Sequence, residues 1–178
     1  MLNAHNYRRN REYEHMLPKG LLNAQGMGTL RQYRYGLFSF GWCGCEIIAT
    51  YNFLQMLGKP QPLCEIAREI YRYGHILLGF FGTNVYVLSH YLHRHGIEHR
   101  QTCRKKEFLE QAANGKYGIV SFWTGKVMRS SIHTVAFRME PDGSVTVFNR
   151  YNRALNDHTY ADLNEAFGKY AFLTASWV

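Results

Sequence analysis

The spacing of the apolar residues changes partway along this chain, and that change sets its fold class. Up to about residue 115 they recur three and four apart, as on helix faces; beyond it they alternate, as on half-buried strands. The clearest helical run is 45–57, Cys45 to Leu57, closed by Gly58. Lys59-Pro60-Gln61-Pro62 breaks the chain there. Leu63, Ile66, Ala67, Ile70 and Tyr71 predict a second helix over 63–73. Gly74 to Gly82 reads as an apolar, glycine-rich loop. A third helix carries Val87, Leu88, Tyr91 and Leu92, with Thr83 or Asn84 as its cap and Gly96 as its stop. Ile97 to Thr102 reads as a short strand and Lys105 to Ala113 as a fourth helix. Strands follow at Tyr117 to Trp123, Ile132 to Met139, Ser144 to Phe148 and Tyr170 to Trp177, with a short helix within Tyr160 to Phe167. Pro141-Asp142-Gly143 supplies the turn of a hairpin. Residues 1–40, broken by Gly20, Gly26, Gly28 and Gly36, read as an irregular lead-in. Helices first and antiparallel strands after predict an α+β fold, N-terminal helices packed on an antiparallel sheet, in a single domain spanning 1–178.

Composition narrows the function classes. The chain is 46% hydrophobic and 15% aromatic, a globular balance and not a disordered one. No apolar run approaches the roughly 20 residues of a membrane helix, and the first residues lack the apolar stretch of a secretory signal. The expectation is a cytoplasmic protein without a membrane partner, its four cysteines (Cys43, Cys45, Cys64, Cys103) reduced. The net charge of +8 is concentrated at Arg8, Arg9, Arg11, Arg31 and Arg34 and again at Arg100, Arg104, Lys105 and Lys106. Arg31-Gln32-Tyr33-Arg34-Tyr35 interleaves cations with aromatics, which can stack on bases. No nucleic-acid motif accompanies it, so a solvated basic surface and no specific nucleic-acid partner are expected.

Three residues stand where thiol chemistry would need them. Cys45 opens the first helix, where unpaired backbone N–H groups favour a thiolate. Starting that helix at Cys43 would bury Gly44 in its first turn, at about 1 kcal/mol relative to Ala. Cys64 reads as a small buried hydrophobe on the face of the second helix. His133 opens the alternating run His133-Thr134-Val135-Ala136-Phe137, and Asn149 ends the next strand. Strands joined by a tight turn bring their far ends together, so Asn149 can orient the His133 ring. The other histidines fall in helices, loops or the lead-in. His90 and His93 share a helix face, but His95 does not join them and no cysteine or carboxylate completes a ligand set, so no metal site is expected. Glu46 conflicts with a neighbouring thiolate unless it turns to solvent.

Gly44-Cys45 followed by Ala49, Leu54 and Gly58 resembles the Cys box of bacterial papain-like peptidases. The nearest branch is the leader-peptide peptidase domain of bacteriocin exporters, which cleaves after double-glycine leaders, together with its stand-alone relatives. His133-Thr134-Val135-Ala136-Phe137 is similar to that branch's His box, and Asn149 falls at its third residue. Leu63 to Glu69 and Gly82-Thr83-Asn84 also resemble its second and third helices; the likeness spans about 40–155. The resemblance implies a cysteine peptidase, a thiol protease hydrolysing peptide or amide bonds with a Cys45-His133-Asn149 catalytic triad and no cofactor. Two residues depart from the pattern. Glu46 stands where the family has Gly, and Ser39 stands where the family has an oxyanion-hole Gln, about six residues before the nucleophile. The Ser39 hydroxyl with the Cys45 backbone N–H would then serve the oxyanion. The alternatives are a catalytically degenerate binding module or an acyltransferase on the same fold.

Overall fold

A computed structural model describes residues 1–79, 82–125 and 131–178. Its helices are α1 (Leu2–Tyr13), α2 (Phe40–Cys43), α3 (Cys45–Met56), α4 (Leu63–Gly74), α5 (Val87–Arg94), α6 (Lys105–Gln111) and α7 (Leu163–Phe167). Its strands are β1 (Arg34–Tyr35), β2 (Phe38–Ser39), β3 (Arg100–Thr102), β4 (Tyr117–Trp123), β5 (Ile132–Met139), β6 (Val145–Phe148), β7 (His158–Tyr160) and β8 (Ala171–Trp177). The first two strands form a small hairpin; the others make one antiparallel sheet in the order β3-β8-β4-β5-β6-β7. The fold is α+β, with helices on an antiparallel sheet, as the change of apolar period predicts. Among the described residues no helix is long and apolar enough to cross a membrane.

Strand alternation divides the interior into two cores. Ile119 of β4 and Ala136 of β5 face α3 and join the core of Ile47, Ile48, Phe53, Ile66 and Tyr91. Val120, Phe122, Val135 and Phe137, one residue out of phase, face the other way and pack with Phe108 of α6 and Phe167 of α7. α3 is buried almost all round because α4 covers it opposite the sheet.

The lead-in departs from expectation: residues 2–13 are helical. Their pattern shows no apolar stripe because α1 docks through amides. Its buried residues are Asn6 and Asn10. Asn6 Nδ2 donates to the Gly36 carbonyl at 2.7 Å. Asn10 donates to the Arg34 carbonyl at 2.9 Å and accepts from the Arg34 N–H at 2.8 Å. Just beyond α1, Glu14 accepts from the N–H groups of Leu63 and Cys64, at 2.6 and 3.0 Å. It thereby caps α4 from a distance, at the end where a helix favours negative charge. Tyr86, rather than Thr83 or Asn84, precedes α5. The stretch read as helix from Tyr160 is shorter, and His158–Tyr160 before it pairs with β6 instead.

Leu22 is fixed to α3 by a two-way bond: its N–H reaches Asn52 Oδ1 at 2.7 Å and its carbonyl accepts from Asn52 Nδ2 at 2.8 Å. This ties Leu22 to the middle of α3, from which the chain runs to α2, where Gly26 meets Gly41.

Asn10→Leu keeps the bulk but leaves the Arg34 N–H and carbonyl unpaired. It should lower unfolding free energy by about 2–4 kcal/mol, read as a lower urea midpoint at unchanged slope. An unchanged midpoint would mean that α1 is held by other contacts.

Candidate active site

Cys45 is the first residue of α3, with Gly44 as the N-cap. Gly44 is required sterically: a Cβ there would lie 2.6 Å from the Phe40 side chain. The Cys45 side chain is half-buried, its sulfur within hydrogen-bond reach of the Thr134 backbone and hydroxyl. Thr134 Oγ1 is in turn 2.9 Å from Ser121 Oγ on the α3 side of the sheet. Burial, and then the neighbouring Glu46 carboxylate, push the Cys45 thiol up to about 11, against hydrogen bonds from Thr134 and Glu46 that favour the thiolate. Cys45 is therefore held as a neutral thiol, and the helix start does not ionise it.

His133 is the second residue of β5. Its ring stands edge-on to Phe122 at 6.0 Å between centroids. Its Nε2 lies 2.8 Å from the backbone carbonyl of Asn149. A carbonyl only accepts, so Nε2 carries the proton and Nδ1 keeps its lone pair. Burial, and secondarily the Arg150 charge, hold the imidazole below its ordinary value, while the bond to Asn149 opposes them. Among the described residues the ring bonds to the backbone that follows β6, and Cys45 to Thr134 and Glu46. Cys45 and His133 are not bonded to each other: Cys45 meets Thr134 on the α3 side of the sheet, whereas the His133 ring, one residue out of phase, packs on Phe122 of the opposite face.

Asn149 meets His133, but not through its side chain as the triad reading expects. It takes the left-handed conformation, φ 56°, which Asn tolerates better than most residues. That turns its carbonyl to His133 and its carboxamide to Gln25. Asn149 Nδ2 donates to Gln25 Oε1 at 2.8 Å, and Gln25 N–H returns a bond to Asn149 Oδ1 at 3.2 Å. The Asn149 N–H is taken by Asn23 Oδ1.

Gln25 is the residue that sequence reasoning misses. It is buried, and it follows Ala24, itself at φ 57°. Its segment packs closely on α2: a Cβ on Gly41 would meet Gly26 Cα at 3.2 Å and the Gln25 carbonyl at 3.8 Å. With Oε1 held by Asn149, the free end of the carboxamide is its donor end. Ser39 Oγ would lie 3.6 Å from that same Cβ, on the far side of α2 in sequence from Cys45. No local pattern marks Gln25, because it reaches the site by tertiary contacts rather than by a fixed distance from Cys45.

Glu46 does not turn to solvent. It is 2% exposed, and neither carboxyl oxygen has a partner among the described residues. Burial raises it to about 8, so it is protonated at neutral pH and the conflict with a thiolate is removed by neutralisation. Cys43 is buried, its thiol on the carbonyls of Tyr35 and Ser39, and Cys64 is buried as expected. His95 bonds Glu69 and Gln61, and His90 packs on Tyr73. Among the described residues no group of three His, Cys, Asp or Glu side chains is placed to hold a metal.

Comparison with protein families, with curated proteins and with solved structures finds no match.

Two outcomes follow from the protonation states. Brief iodoacetamide treatment at pH 7 should label exposed Cys103 first, with Cys45 labelling accelerating as pH rises and Cys43 and Cys64 reacting only on unfolding. Peptide mass spectrometry reads the order; fast labelling of Cys45 at pH 7 would mean a resting thiolate. For Glu46, the folded chain keeps the proton up to about pH 8 while the unfolded chain releases it near the ordinary glutamate value of 4.5. Stability should therefore fall as pH rises through that window and level off above it. In Glu46→Gln this component should be absent; identical pH profiles for the two proteins would place a charged Glu46 in the fold.

Proposed function

We propose that this chain is a papain-like, thiol-dependent hydrolase of peptide or amide bonds, with Cys45 as nucleophile and His133 as base and then acid. The observation that carries the reading is the His133 tautomer. The bond from Nε2–H to a backbone carbonyl leaves Nδ1 as the acceptor, at the start of the strand whose next residue, Thr134, meets the Cys45 sulfur from the other face of the sheet. A general base needs that free lone pair.

The cycle starts from a neutral pair. As Sγ attacks the substrate carbonyl carbon, the thiol proton passes to His133 Nδ1, and the imidazolium is stabilised by the Asn149 carbonyl on Nε2–H. The carbonyl oxygen, now an oxyanion, takes the Cys45 backbone N–H and the Gln25 Nε2 protons, the role that the sequence assigned to Ser39. Collapse breaks the C–N bond, and Nδ1 returns the proton to the leaving amine. Water, deprotonated by His133, then cleaves the thioester and restores the thiol. An amine in place of water would make the same protein an acyltransferase. Protonated Glu46 leaves the developing thiolate without a like charge beside it.

Two observations favour the catalytically degenerate binding module: the thiol is held well above the usual cysteine range and is bonded to Thr134, and the His133 ring packs with Phe122 on the face of the sheet opposite Thr134. Turnover separates the two readings. A mixed fluorogenic peptide library should be cleaved by the wild type, with kcat/KM falling about 10³-fold or more in Cys45→Ala and His133→Ala. Gln25→Ala should lose about 10²–10³ in kcat, and Ser39→Ala should stay near the wild-type rate. Absence of turnover by the wild type, or equal turnover by Cys45→Ala, would sink the hydrolase and leave the binding module.

A further inference from the structure

Arg150 is 4% exposed and follows Asn149 directly. Its guanidinium carbon lies 4.7 Å from the ring centre of Tyr170 and 5.0 Å from that of Phe122. Tyr151, Phe167 and Tyr160 stand at 5.7, 5.8 and 5.9 Å. Nε donates to the Tyr160 hydroxyl at 3.2 Å, and Nη2 to the Ala166 carbonyl at 3.3 Å. These partners, drawn from β4, β7, α7 and the approach to β8, are all neutral. A buried cation ordinarily sits against a carboxylate. An apolar side chain would fill such an aromatic box without the cost of desolvating a charge. The use of arginine here calls for a role that bulk does not supply.

The peptide unit between Asn149 and Arg150 supplies one. Its oxygen is the acceptor of His133 Nε2–H. On one side Asn149 is fixed by Asn23 and Gln25; on the other Arg150 is fixed by its cage. A peptide unit is planar, so two anchored flanks leave its carbonyl one direction. Phe122 touches both the guanidinium and the His133 ring, which places the cation and the imidazole in one aromatic cluster.

We propose that Arg150 is a positioning residue for His133: its caged side chain aims the Asn149 carbonyl at Nε2–H, holding the ring in the single tautomer that leaves Nδ1 free. The charge has a second effect. A cation in the cluster disfavours imidazolium and so keeps the resting base neutral, in line with the lowered His133. The charged group that faces that ring is Arg150, with Tyr151, Tyr160 and Tyr170 around its guanidinium; Cys45 and Glu46 lie on the start of α3, across the sheet. The proposal rests on His133 being the base, yet its test needs no turnover.

In ¹⁵N-histidine-labelled full-length protein, long-range ¹H–¹⁵N correlation reports the tautomer and titration of each ring, with His133 assigned by comparison with His133→Gln. The wild type should show one Nε2–H tautomer through neutral pH. Arg150→Met should let the Nδ1–H form appear and raise the His133 pKa. Arg150→Lys keeps the charge without the planar fork, so it should mix the tautomers while the ring stays hard to protonate. Tyr160→Phe removes one anchor and should mix them less. A purely structural arginine would lower the melting temperature in these variants and leave the His133 tautomer and titration unchanged; that result overturns the proposal. If Arg150→Met does not fold, Arg150→Lys and Tyr160→Phe decide. A failed hydrolase assay with the tautomer effect present would retire the enzyme reading alone.

Discussion

One residue in an unusual backbone conformation holds the candidate site together. Asn149 ends β6 and turns left-handed, and from that position it makes three kinds of bond at once. Its N–H goes to Asn23, its carboxamide exchanges bonds with Gln25, and its carbonyl takes the proton of His133. A right-handed or extended residue there could not send carbonyl and side chain in those directions. The Gln25 segment depends on the same knot, since it is tied to α3 through Leu22 and Asn52 and to the strand side through Asn149. α3 and the end of β6 are thereby linked through one segment.

The electrostatics of the site are those of a neutral assembly. Cys45 is raised, His133 lowered and Glu46 raised, and in each case burial leads. A papain-like cycle run from this state moves a proton during attack rather than before it. Charge then appears only as the substrate reacts, where preformed donors and a fixed carbonyl are most effective. Arg150 belongs to the same arrangement: its positive charge shares the Phe122 ring with His133, on the face of the sheet away from α3, and packs against ring faces in place of water.

The long periodic segments were legible in the sequence. α3, α4, β4 and β5 stand within a residue of the ranges that spacing predicts, because each buries a regular face against a regular neighbour. α1 was not, since amides and not methyl groups make its buried face. His133 and Asn149 meet as read from strand order and the hairpin turn. The atom by which Asn149 serves His133 was not legible, because it depends on the sign of one φ angle. Gln25 was hidden for a different reason. Its bonds run to a residue more than a hundred positions away, and a polar side chain used at that range leaves no periodic trace. The burial of Glu46 is likewise a property of how α4 and the β1–β2 hairpin close over the start of α3, beyond any local pattern.

The distance along the chain that the Asn149 knot spans has a consequence for biosynthesis. Asn23 and Gln25 meet Asn149 across separations of 126 and 124 residues. Closing a loop of that length costs entropy that is recovered only when both ends are structured. On the ribosome α1, α3 and α4 can emerge and pack while β5 and β6 are still unmade. The start of α3 is then formed, but until Asn149 has been made His133 has no carbonyl to face and Asn23 and Gln25 have no amide to meet, so the knot is the late-closing part of the fold.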